Sequence, residues 1–107
     1  MKNQNSALFI IVFFLLGCFF DHVTTAYGIN IPSLAERNPA VLFMMEYGIW
    51  HEAEILMTTV IAFCGLLVVR LRTSSTTNLS TKSLAAVGLI RFLAGFQNLI
   101  VIANTLI

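Results

Sequence analysis

A chain of 107 residues that is 58% hydrophobic and only 10% charged, with its apolar residues gathered into three long runs, is not a soluble domain. Such a domain carries roughly 25% charged residues and lacks apolar runs near the ~20 residues that cross a bilayer. The net charge of +1 comes with no Lys/Arg cluster interleaved with aromatics, which excludes nucleic acid as a partner. The composition predicts an all-α integral membrane protein, lipid-embedded, with three transmembrane helices plus one short interfacial helix in a single membrane domain over residues 1–107.

The first span is expected over about residues 7–29, roughly 33 Å at helical rise. Lys2 followed by Ala7–Phe20 also fits the charged and apolar regions of a secretory signal, with Thr24-Thr25-Ala26 as a small-residue cleavage site; we expect a retained helix. Phe9, Phe13, Phe14, Phe19 and Phe20 suit most of its surface to lipid, whereas Gly17, Asp21, Thr24 and Gly28 recur at spacings of four, three and four and so share one face. Small and polar residues on one face let a second helix approach closely and find hydrogen-bond partners. Cys18 and Cys64 fall inside predicted spans, where a thiol packs as a small apolar group and no disulfide framework is expected.

After the first span, Asn38-Pro39 is a helix-start signature and Gly48 a stop. A helix over 39–47 is implied, too short to span and too apolar to be solvated, so it belongs in the interface, with Tyr47 and Trp50 at headgroup level. The second span is expected over 49–69, where His51, Glu54, Thr58, Ala62 and Gly65 share a face. Residues 70–83 read as a hydrophilic turn. The third span covers 83–104, with Gly88, Arg91, Gly95 and Asn98 as its stripe.

Arg70, Arg72 and Lys82 place the second loop in the cytoplasm by the positive-inside rule, whereas the first loop has Arg37 alone beside Glu36, Glu46, Glu52 and Glu54. The expected topology is a multi-pass chain of the cell membrane, N-terminus cytoplasmic and C-terminus exterior. Counted from the inner ends, Asp21, Glu54 and Asn98 all lie roughly 21–23 Å up their spans and form one polar layer. Arg91 falls roughly 10 Å lower, placed to snorkel inward or to meet an acid of another chain.

Three chemistries compete for this layer. Asp21, His22, His51, Glu52 and Glu54 include the ligand types of an exterior-side divalent metal site, although no Cys or third His completes a specific pattern. Intramembrane acids also mark ion or proton routes, but three spans are too few to enclose a pore, so a transporter would have to be a small homo-oligomer. For Asp21 the bland alternative is pairing with Thr24, Thr25 and the backbone amides near Asn38. Neither a Gly-x-Ser-x-Gly nor a His-Glu-x-x-His is present, so no catalytic residue and no cofactor is expected. The remaining reading is a non-catalytic accessory or structural subunit, whose polar stripes find partners in other integral membrane subunits.

Asp21-His22-Val23-Thr24-Thr25, followed by Glu36-Arg37-Asn38-Pro39 and two further spans, resembles a group of small archaeal and bacterial membrane proteins with an Asp and Thr late in the first helix and Glu-x-Asn-Pro before a short apolar helix. In size and span layout the chain also looks like the small accessory subunit X of archaeal ammonia monooxygenase. That resemblance implies a helper in the membrane arm of a copper oxygenase, partnered by its three main subunits, with the metals held elsewhere. The residues expected to carry structure or interface are Asp21, Thr24, Thr25, Glu36, Asn38, Pro39, His51, Glu54, Thr58, Arg91 and Asn98.

Overall fold

A computed structural model describes residues 2–31, 33–36, 38–71 and 74–107. The chain is all-α, with no strand among the described residues. Its helices are α1 (Lys2–Gly28), α2 (Pro39–Glu46), α3 (Trp50–Leu71) and α4 (Ser74–Leu106). Three of them contain stretches long and apolar enough to cross a membrane, Ser6–Gly28, Trp50–Arg70 and Thr81–Leu106.

Helix α1 ends where Asn30 folds back and its side-chain amide donates to the Ala26 carbonyl at 3.1 Å, satisfying one of the free carbonyls of the last turn. At the start of α2 the Asn38 side chain accepts from the Ala40 amide at 3.0 Å, and Pro39 follows at the first helical position, where a missing N–H is harmless. Gly48 ends the motif at φ 70°, a left-handed conformation that a Cβ would strain. No residue of α2 is buried. The polar stretch read as a turn over 70–83 is instead helical from Ser74 onward. It contains neither Gly nor Pro, and α4 runs unbroken for 33 residues, roughly 50 Å at helical rise.

Helices α1 and α4 run parallel and form the tightest pair. Gly17 approaches the Gly88 carbonyl so closely that an added Cβ would lie 2.7 Å from it, and Gly28 meets Ile102 further along. Along the same seam aromatic rings fill the notches left by glycine: Phe13 lies over Gly88, Phe20 over Gly95, and Phe13 stacks on Phe92 at 4.9 Å between centroids. The expectation that the first span's phenylalanines face lipid therefore holds for Phe9 and Phe19, which are exposed, but not for Phe14, which is 1% exposed and central to the core.

Helix α3 runs antiparallel to both. Its Gly65 packs on Leu84 and Ile11, and Val69 joins Ala7, Ile11, Phe14, Cys18 and Leu84 in the apolar core. That core occupies the end of the bundle bearing Leu84. Toward the other end, which bears Trp50, the interior turns polar.

Candidate functional site

The polar half is built from polar side chains of all three long helices, brought together by the same spacing that makes the stripes. On α4, Arg91 and Asn98 lie two turns apart on the face turned to α1. Arg91 sends Nε to Asp21 Oδ2 at 3.0 Å, and its Nη2 pairs with Glu54 Oε1 on α3; the Cys18 carbonyl accepts from the same nitrogen at 3.4 Å. The three side chains are 26%, 15% and 19% exposed for Arg91, Asp21 and Glu54. Arg91 was expected below the layer, snorkelling or seeking an acid of another chain. The structure corrects this: both of its acids are in its own chain, because the long guanidinium arm spans the gap that counting backbone positions leaves.

Above Arg91, the Asn98 amide nitrogen lies 3.0 Å from both Thr24 Oγ1 and Thr25 Oγ1 and 3.3 Å from Asp21 Oδ1. Thr25 donates to Asp21 Oδ1 at 3.4 Å. Thr24, 6% exposed, donates back to the Phe20 carbonyl at 2.9 Å. Asp21, Glu54 and Asn98 thus lie in one layer, with Arg91 as its hub. With both carboxylates ionised, two negative charges against one positive leave this layer at −1.

At the Trp50 end α1 and α3 meet through imidazoles. His22 Nε2 and His51 Nδ1 are 2.7 Å apart, so one ring presents N–H and the other a lone pair. Trp50 stacks on His22 with centroids 4.1 Å apart and is 5% exposed. It therefore packs within the bundle at the start of its candidate span, whereas Tyr47 is exposed. The His22–His51 pairing joins residues 29 positions apart and is not visible as a pattern in the sequence. The signal for it was the grouping of both histidines with Asp21, Glu52 and Glu54 as candidate metal ligands.

The other expected residues lie around this layer. Thr58, one turn beyond Glu54, lies against Cys18. The backbone amide of Asn38, considered as a partner for Asp21, donates instead to Glu36 Oε1 at 2.9 Å, so Glu36, Asn38 and Pro39 organise the start of α2. Arg37 and Arg72 lie outside the described residues. A cavity of about 650 Å³ opens between the ends of α1 and α4 and the 33–36 segment, with Thr24, Thr25, Gln97 and Asn98 on its polar side, Ile102 on its apolar side and Glu36 near its rim.

Among the described residues no three His, Cys, Asp or Glu side chains come together as a metal site; the two histidines face each other rather than a common centre. Cys18 and Cys64 are free thiols. The polar layer gives way to the apolar core before the Leu84 end, so its hydrogen bonds do not continue through the bundle. Chemically the arrangement can lock three helices in register and hold a proton. Comparison with protein-family models, curated proteins and solved structures finds no match.

Proposed function

We propose that this chain is a non-catalytic accessory subunit of a larger membrane complex. The observation that supports this most directly is that Arg91 is ion-paired with Asp21 and Glu54 of its own chain: these polar groups fix the chain's own shape. The earlier ground for partners, polar stripes in need of other chains, falls away, and the apolar outer surface of α3 takes its place. Ile55, Leu56, Met57 and Phe63 all point outward from it, on a rigid scaffold suited to neighbouring subunits. By its resemblance to subunit X, the complex is an archaeal ammonia monooxygenase, whose three main subunits are the partners and hold the copper. The Leu84 end, with Arg70 and Lys82, then faces the cytoplasm.

Purification of the full chain from its native membrane in mild detergent, followed by native mass measurement, tests this. Co-purification with other integral membrane subunits is expected; a chain that emerges alone, or only with copies of itself, refutes the proposal. The unequal count of two carboxylates to one guanidinium favours a second reading, a homo-oligomeric proton carrier. Proton flux into liposomes holding the purified chain, abolished by E54Q, would establish that reading instead.

A further inference from the structure

Independently of the subunit reading, we propose that the His22–His51 pair is a pH-sensitive clasp between α1 and α3, closed while it holds at most one extra proton and opened by the second.

The geometry requires one ring nitrogen to donate to the other across 2.7 Å. A first added proton preserves this, because an imidazolium N–H still meets a lone pair. A second removes the acceptor and sets two N–H groups against each other. The buried His22 Nδ1 has no hydrogen-bond partner among the described residues, so the ring cannot turn its other nitrogen to an alternative acceptor without leaving its place under Trp50. The charged groups facing His22 are Asp21 on α1, Glu54 on α3 and Arg91 on α4, and Glu52 neighbours His51 on α3. His51 is exposed and His22 half-buried, so the doubly protonated state is relieved by parting the rings and solvating each imidazolium.

The place where water can enter follows from how α3 is held. At the Leu84 end it is packed in the apolar core, and at Glu54 it is tied to Arg91. Beyond Glu54 its attachment to α1 is the histidine pair and the Trp50 stack. Opening therefore swings the Trp50 end of α3, together with α2 joined to it through Gly48, away from α1.

Trp50 is the only tryptophan of the chain and reports the event directly. The full chain in phosphatidylcholine nanodiscs is acidified from about pH 8 to about pH 4, because two imidazoles in contact take up their second proton at a lower pH than a lone one. The expected result is a reversible red shift of Trp50 emission with increased quenching by acrylamide, and loss of both responses in H22Q and in H51Q, whose amides do not titrate there. A wild-type emission maximum that stays fixed overturns the clasp, and this requires no variant to fold. Dimming without a red shift or added acrylamide access also overturns it, since that is quenching by an imidazolium in a pair that stays closed. A red shift surviving in both variants assigns the response to the carboxylates and overturns it as well.

Discussion

Replacing Arg91 by Met should be the most damaging single change in the bundle, and the reason is a count of charges. The wild-type layer holds Asp21, Glu54 and Arg91 within one contact group; removing the cation takes it from −1 to −2, while removing one acid takes it to zero. All three side chains are less than a third exposed, and leaving a buried charge without its partner costs about 3–5 kcal/mol, or roughly two to three and a half powers of ten in the unfolding equilibrium. E54Q should cost much less, because Arg91 keeps Asp21 as its counter-ion and Gln can still accept a hydrogen bond. The triple variant R91M/D21N/E54Q should recover most of what R91M loses, since it leaves no charge in the layer. Unfolding of the full chain in mixed micelles by increasing denaturing detergent, followed by helical circular dichroism, measures all three. If R91M is no worse than E54Q, or the triple variant is worse than R91M alone, the layer is not electrostatically coupled as described.

Three further outcomes are accessible to the same assay. G17A should cost about 1–3 kcal/mol by overpacking, because its Cβ would meet the Gly88 backbone carbonyl at 2.7 Å and force α1 from α4, whereas G28A finds only ordinary contact with Ile102 at 3.6 Å and should be neutral or stabilising by about 0.5 kcal/mol. G48A should cost about 1–2 kcal/mol from backbone strain alone, since φ is 70° and the space beside it is open; a D-alanine placed there by peptide ligation should restore stability. N98L should cost about 1–3 kcal/mol by stripping Asp21, Thr24 and Thr25 of a shared donor, and N98D, which adds a carboxylate beside Asp21, should cost more.

The stripes were legible because helical spacing alone decides which residues share a face. Gly17, Asp21, Thr24 and Gly28 on one helix, and Gly88, Arg91, Gly95 and Asn98 on another, were grouped from the sequence, and in the structure they meet. The cap at Asn38-Pro39 and the left-handed stop at Gly48 were equally local, each set by the chemistry of one or two residues. What the sequence concealed depends on side-chain reach and on which helices touch. Counting backbone rise put Arg91 below its partners, since the count ignores an arm long enough to close the gap. The Ser/Thr-rich stretch from Ser74 to Ser83 read as a turn on composition, but weak helix propensity does not stop a helix that nothing interrupts. His22 meets His51 only because α3 returns antiparallel beside α1.

The distribution of attachments says what the charged layer is for. Along α1 and α4, glycine notches and phenylalanine rings interlock from Phe13 to Gly28, and close packing of this kind needs no charge to hold it. Helix α3 has no comparable seam: beyond its apolar end it is fixed at Glu54 and at the histidine pair. Arg91 lies on α4 while its acids come from α1 and α3, so a single side chain ties the three long helices together. A buried ion pair is weak support for stability when compared with well-packed apolar residues, and lipid offers α3 an apolar surface on every side. An arginine that finds its two acids in only one rotation and one depth of α3 gives that helix a unique position where apolar packing alone would accept several.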